Sequence, residues 1–200
     1  MTSEAEDLVV LLDADGAPCG TTDRSTVHTE ATPLHLAFSV YVIDADQQVL
    51  MTRRALTKRA WPGVWTNACC GHPQPGESFE DAIQRRLGQE LGARATEIVP
   101  VLPDFRYEAV DASGVRENEV CPVFVARLAG GLDPHPDEVM ELRWVDPAAL
   151  ADVAGRSPWL LSPWSVEQIR ALDLVGLGDA LRLGAEAGSP LAAAALPVSG

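Results

Sequence analysis

Positive charge is scarce in this chain of 200 residues: 15 lysines and arginines stand against 29 aspartates and glutamates, giving a formal net charge of −14 and a pI near 4.5. A surface of that sign repels a polyanion at long range, so nucleic acid is not an expected partner. Long apolar runs are missing too. Stretches such as Leu36 to Ile43 are far too short to cross a bilayer, and the acidic start "MTSEAEDLVV" lacks the basic flank of a signal or transit peptide. The expectation is a cytoplasmic protein with no membrane partner. Cysteine is limited to Cys19, Cys69, Cys70 and Cys121; in a chain of cytosolic type these do not suggest a disulfide framework, and the adjacent pair lacks the C-x-x-C spacing of a structural zinc site. There is no internal repeat. A hydrophobic content of 46% is enough for one sizeable core, so a single domain is expected over residues 1–184. Residues 185–200 are rich in small side chains without an apolar period, and are expected to be disordered.

Leu8 to Leu12 reads as a strand running into the turn "DADGAP". "HLAFSVYVI", "DADQQ" and "VLMTRRA" read as strand, turn and strand, a first hairpin rich in β-branched and aromatic residues. Ser78 to Leu91 is the strongest helix, with Ser78 and Asp81 as a capping box and Phe79, Ile83, Leu87 and Leu91 as an apolar stripe. "FRYEAV", "DASG" and "ENEVCPVFVARL" predict a second hairpin, with Pro122 forcing a bulge or an edge. "ELRWVD" is another strand, "PAALADV" a short helix with Pro147 in its first turn, and Ser165 to Leu183 a closing helix whose second half Gly176 and Gly178 weaken. Antiparallel strand pairs with few, scattered helices predict an α+β or mixed α/β domain, a sheet between helical layers.

The candidate chemistry lies in four places. Arg53, Arg54, Lys58 and Arg59 fall within "TRRALTKRAW", a basic run that is by default a solvated surface but could hold a small anion. His28, His35 and His72 flank the first hairpin and the vicinal thiols, while His135 sits apart in the loop "DPHPDE". Glu117 and Glu119 have period-two spacing, which puts both carboxylates on one strand face. Three imidazoles and two carboxylates suit a divalent ion, and the mixed N/O set leaves Mn²⁺, Mg²⁺ and Zn²⁺ open. Strand alternation also turns Cys69 and Cys70 to opposite faces, so only one thiol can serve a site.

Read from Gly71, the chain resembles the Nudix signature, G-x5-E-x7-R-E-U-x-E-E-x-G-U, with U a bulky aliphatic residue. Gly71, Glu77, Arg85, Leu87, Glu90 and Gly92 match it, whereas Arg86 and Gln89 stand where that family has glutamates. In Nudix hydrolases those glutamates gather the metal ions that activate water, so the departures weigh against hydrolysis. They leave a helix suited to holding a diphosphate intact. "HLAFS", "TRRAL", "AWPGVWTN", "CCGHP", "GES.EDA", "DFRY", "ENEVCPVF", "DEVM" and "SPW", in this order from about Leu8 to Trp164, resemble the type 1 isopentenyl-diphosphate delta-isomerase family.

The resemblance implies an α/β fold, a Nudix-type α/β/α sandwich with a mixed sheet and hairpin extensions. It implies an enzyme that interconverts isopentenyl and dimethylallyl diphosphate for isoprenoid precursor biosynthesis. Cys70 and Glu119 would be the acid/base pair, Tyr107 would hydrogen-bond the glutamate, and Trp164 would face a cationic intermediate. Arg24, Arg54, Lys58 and Arg86 would bind the diphosphate, Arg24 in place of a lysine. His28, His35, His72, Glu117 and Glu119 would hold one divalent ion, while Glu90 and the backbone carbonyl of Cys70 would hold a diphosphate-bridging Mg²⁺. A small-molecule isoprenyl diphosphate is then the expected partner, and the protein a monomer or weak dimer. The alternatives are a Nudix pyrophosphohydrolase and a non-catalytic diphosphate- or metal-binding module.

Overall fold

The computed structural model describes residues 7–172, 174 and 176–181; the expected tail at 185–200 lies outside them. The chain opens with an antiparallel hairpin of β1 (Leu8–Leu12) and β2 (Pro18–Asp23). The turn is closed by the Asp13 carboxylate, which accepts from the N–H groups of Asp15 and Ala17. A single helical turn, α1 (Arg24–Val27), is N-capped by Asp23 and ends at His28.

Next come β3 (His35–Leu36), β4 (Phe38–Val42) and β5 (Val49–Arg54), which sequence reading joined as one hairpin. They do not pair as one. A lone bridge links Ile43 to Val49, after which the strands separate into different sheets: β4 lies between β7 (Cys69–Gly71) and β11 (Val123–Ala129), and β5 between β6 (Trp65–Thr66) and β12 (Val139–Val145). All five residues of β4 are buried, and a strand covered on both faces has no solvent side to fix a local hairpin register.

The helix α2 (Phe79–Leu91) forms as its sequence dictates. Ser78 Oγ accepts from Asp81 N at 3.1 Å, Glu80 and Asp81 complement the positive end of the helix dipole, and Gly92 closes the helix at φ 61°. A side chain at Gly92 would also lie 2.8 Å from the Asp133 carbonyl, so that position requires glycine. Ile83, Leu87 and Leu91 of the stripe are fully buried, each contributing about 1.5–3 kcal/mol of apolar burial.

β8 (Arg94–Leu102) and β9 (Arg106–Val110) follow, then β10 (Arg116–Val120) and β11 (Val123–Ala129). β9 and β10 make the expected second hairpin. Pro122, which cannot donate to a ladder, marks the point where the chain leaves one sheet for the next. β12 (Val139–Val145), α3 (Pro147–Arg156) and α4 (Pro163–Ala171) complete the described elements. The closing helix is shorter than expected. α4 starts with Pro163 behind the cap Ser162 and ends at Ala171, and residues 177–181, Gly178 among them, are helical again, so the expected single helix is interrupted ahead of the glycines.

The central sheet, ordered β7-β4-β11-β8, is mixed, with β4 and β11 parallel. Its strands alternate between two cores. Phe38, Val40, Val42, Phe124 and Ala126 pack with Ile83, Leu87 and Leu91 of α2. Tyr41, Ile43, Val123 and Val125 pack with Leu150 of α3 and Val166 and Ile169 of α4. Helices on both faces of a mixed sheet make an α/β/α sandwich. A five-stranded sheet, β2-β1-β3-β10-β9, brings distant segments together in its interior, because β3 runs parallel to β10 with Glu119 opposite His35.

Candidate active site

Four segments deliver the imidazoles and carboxylates. His28 ends α1, His35 opens β3, His72 follows β7, and Glu117 and Glu119 occupy alternate, buried positions of β10. The imidazole centroids form a triangle with sides of 5.2, 5.4 and 5.1 Å. Glu119 Oε1 lies 3.3 Å from both His35 Nε2 and His72 Nε2, and Glu117 Oε2 lies 2.9 Å from His28 Nε2. Ligand atoms of His28, His35, His72 and Glu119 all fall within 4.8 Å of one another, and Glu117 adjoins the group through His28.

Several features suit this set to a cation. His28 Nε2, His35 Nε2 and Glu117 Oε2 are buried without a properly aligned hydrogen bond, which is costly unless something else satisfies them. His35 Nδ1 sits 2.9 Å from the Pro33 carbonyl, which fixes the tautomer and frees Nε2 as a ligand. Burial drives His72 down to about 4 against the pull of Glu119, so its ring is neutral at neutral pH, the form that binds metal. Burial would raise Glu119, but His35 and His72 outweigh it and hold the carboxyl well below its usual range. Glu117 is raised, first by burial and then by the Glu119 charge.

The Nudix-type residues are the scaffold of this site. Arg85 of α2 grips Glu77 with Nε and Nη2 at 2.7 and 2.8 Å and donates from Nη2 to the His72 carbonyl at 3.0 Å, so a bidentate pair between α2 and the loop before it anchors the segment that carries His72. Gly71 has to be glycine, since a Cβ there would lie 2.8 Å from Arg86 Cγ.

The two vicinal thiols diverge as strand alternation requires. Cys69 is buried in the α2-facing core, whereas Cys70 lines a cleft of about 290 Å³ with His28, His72, Tyr107, Glu117, Glu119 and Trp164. Burial pushes the Cys70 thiol up to about 11, opposed by hydrogen bonds with Ser39 and Asn67, so it carries its proton at neutral pH. Trp164 packs edge-on against Trp61 and tilts toward Tyr107, and the Arg54 guanidinium lies 5.5 Å from its centroid. Among the described residues no hydrogen bond joins the Tyr107 hydroxyl to Glu119, contrary to expectation. The phenol is instead stacked with Phe105 at 6.0 Å, and the carboxylate is engaged by His35 and His72.

Arg24, Arg54, Lys58 and Arg86 all line the same cleft, joined by Arg59. Arg53, one residue along β5, turns away to the Gly63 carbonyl and Glu141. Arg24 is ion-paired with Asp7, Lys58 with Glu138, and Arg86 with Glu90 and, at 3.5 Å, Glu138. Arg86 Nε is nevertheless buried without an acceptor, a donor left unsatisfied by its ion pairs. Glu90 does not reach the main cleft; it borders a small adjoining recess with Lys58, Cys70 and Glu138. Its pairing with Arg86 engages Oε1, and the hard carboxylate oxygens there suit Mg²⁺.

Sequence reasoning did not single out Glu138, Asn67, Ser39 or Gln168. The first three lie inside the segments "DEVM", "AWPGVWTN" and "HLAFS", yet nothing in their residue type announces a role, because tertiary pairing alone brings them to the site.

The NUDIX domain family matches residues 33–165. Proteins named isopentenyl-diphosphate Delta-isomerase from Frankia alni, Leifsonia xyli and Mycolicibacterium vanbaalenii are 56%, 55% and 51% identical to this chain. The alignments cover 84%, 86% and 88% of it and 87%, 94% and 97% of those proteins. Among solved structures, DR0079 from Deinococcus radiodurans superposes with a TM-score of 0.63 at 17% identity, covering 82% of this chain and 98% of that one. The MutT protein of Methanosarcina mazei gives 0.55 at 16% identity, covering 70% and 92%. At such identities the superpositions speak to the fold.

Proposed function

The chain belongs to the isopentenyl-diphosphate Delta-isomerase family, on a NUDIX fold, and from that premise we propose that it interconverts isopentenyl and dimethylallyl diphosphate, supplying isoprenoid precursors in the cytoplasm. The observation that carries this reading is the cleft itself: a protonated thiol, Cys70, and an ionised carboxylate, Glu119, share it with cationic side chains, over a helix whose signature glutamates are replaced by Arg86 and Gln89.

Moving the double bond by one carbon requires adding a proton to one end of the allyl unit and taking one from the other. The Cys70 thiol and the Glu119 carboxylate are a donor and an acceptor for these transfers, and the reverse reaction exchanges their roles. Between the two transfers the substrate carries a tertiary carbocation. The Trp164 face stabilises it by roughly 2 kcal/mol or more once desolvated, without offering a nucleophile, and Tyr107 beside it closes off water. Arg24, Arg54, Lys58 and Arg86 hold the diphosphate, with the free Arg86 Nε as a donor.

His28, His35, His72, Glu117 and Glu119 would hold a divalent ion, Mn²⁺, Mg²⁺ or Zn²⁺, while Glu90 and the Cys70 carbonyl would hold a diphosphate-bridging Mg²⁺. When bound, these ions would supply Lewis acidity beside Glu119 and positive charge for the diphosphate. The partner is a small-molecule isoprenyl diphosphate, the strong negative charge argues against nucleic acid, and the protein acts as a monomer or weak dimer. Among the described residues no helix is long and apolar enough to cross a membrane.

Incubation with isopentenyl diphosphate and Mg²⁺ plus Mn²⁺, followed by proton NMR, is expected to show dimethylallyl diphosphate accumulating to equilibrium. Release of phosphate or pyrophosphate in its place would favour the hydrolase, and binding without conversion the non-catalytic module.

A further inference from the structure

Asn67 follows β6, is fully buried, and uses every hydrogen-bonding atom of its amide. Nδ2 donates to the carbonyls of Val40 at 3.1 Å and Cys69 at 2.8 Å. That pair fixes the orientation of the amide, because a flipped group would turn its oxygen onto two carbonyl oxygens. Oδ1 is thereby aimed at the cleft wall, where it accepts from Trp164 Nε1 at 3.1 Å, Thr66 Oγ1 at 2.9 Å and Cys70 Sγ at 3.3 Å. Three donors compete for one carbonyl oxygen, and the thiol has a second partner in Ser39 Oγ at 3.3 Å, itself held by Gln168 Nε2 at 3.0 Å. The thiol is thus held between two polar atoms, donating to Asn67 Oδ1 with Ser39 Oγ on its other side.

We propose that Asn67 is a positioning residue that sets the Cys70 thiol and the Trp164 indole in one common frame at the allyl end of the cleft. The proposal rests on the isomerase reading, in which Cys70 exchanges a proton with a carbon whose cationic neighbour Trp164 must face. A proton donor and a cation-facing ring are useful only at a fixed separation, and a misplacement of about 1 Å can cost about 100-fold in rate. No other described side chain is hydrogen-bonded to both. Asn67 borders the small recess beside Glu90 and not the main cleft, so its link to the allyl chemistry runs through its hydrogen bonds to these two residues.

Asn67→Ala is expected to lower kcat about 100-fold with KM for isopentenyl diphosphate changed less than about threefold, and to move the Trp164 indole N–H resonance in an ¹⁵N NMR spectrum. Asn67→Ser leaves a hydroxyl that can both donate to a carbonyl and accept from a donor, without setting a second oxygen against the Val40 and Cys69 carbonyls, and is expected to recover part of the lost kcat; it also serves if the alanine variant does not fold. The control is Thr52→Val. Thr52 is buried and donates from Oγ1 to the Asn67 backbone carbonyl at 2.8 Å, so this change loosens the same spot without touching the amide, and kcat and the indole resonance are expected to stay put. Equal kcat losses in Thr52→Val and Asn67→Ala, or an unmoved Trp164 resonance in folded Asn67→Ala, would reduce Asn67 to a packing role. An active wild type with fully active Asn67→Ala overturns this proposal and leaves the isomerase reading standing. A folded, metal-loaded wild type that leaves isopentenyl diphosphate unchanged overturns both.

Discussion

The two ends of the cleft are built on opposite principles. At one end His28, His35, His72, Glu117 and Glu119 are mostly buried, in contact with one another, and converge on a single position. At the other, Arg24, Arg86 and the neighbouring pair Arg54 and Lys58 come from three segments, and all but Arg54 are ion-paired with carboxylates; side-chain exposure of the paired three runs from 8% at Arg86 to 42% at Arg24. The buried end does a task that no neighbour can take over, whereas the cationic end sums similar charges. Loss at the first should be absolute, and loss at the second graded by burial.

Glu119→Gln is the sharpest way to break this contrast. An amide can neither take the proton nor hold an ion with the same charge, so kcat is expected to fall by about a thousand-fold or more, with reduced metal content by atomic spectroscopy. Metal analysis of His28→Ala combined with His72→Ala should likewise show the ion lost, and undiminished stoichiometry in the folded double variant would dismantle the buried end as a metal site. At the cationic end, Lys58→Ala is expected to raise KM about tenfold with a smaller change in kcat. Arg24→Ala, at the most exposed position, should raise KM only about threefold, an effect that fades as salt is added. Equal effects at the two cations would erase the grading.

The pH response of the metal-free protein separates the two ends again. Burial lowers His72 to about 4 in the folded protein, from an ordinary value of 6.5. Between these values the unfolded chain binds the proton and the folded one does not, so this group's contribution is intact above pH 6.5 and is lost as pH falls toward 4. His35 is raised and works in the opposite sense, so the clean observable is a difference. Urea titrations of wild type and His72→Gln should diverge on acidification, wild type losing up to about 1.4 kcal/mol per pH unit more. Parallel curves would mean that His72 is not buried neutral. The smallest expected effect is that of removing residues 185–200, which lack an apolar period; activity and Tm should hardly change.

What could be read from the sequence was local or periodic. The cap and stripe of α2, the alternation that separates Cys70 from Cys69, and the shared face of Glu117 and Glu119 all follow from spacing alone. The first hairpin misled because β4 is apolar on both faces, and its real partner, β11, lies far along the chain, Ser39 facing Val123. The long strand β8 and the short strand β2 were missed for a related reason, since neither has a clean apolar alternation. In the site, residues of unusual type in a recognisable segment were legible. Asn67 and Glu138 were not, because their roles consist of hydrogen bonds and ion pairs across the fold.

The most direct test of the thiol–carboxylate chemistry is proton exchange at carbon. Isopentenyl diphosphate incubated in D₂O with metal-loaded protein should gain deuterium at allylic positions as it converts to dimethylallyl diphosphate, with the diphosphate still attached. Cys70→Ala, folded and still binding metal and diphosphate, should neither convert nor label it, while Cys69→Ala should do both nearly as well as wild type. The contrary result is a wild type that liberates phosphate from nucleoside diphosphate derivatives and leaves isopentenyl diphosphate unlabelled, for then the Nudix helix, and not the thiol, would carry the chemistry.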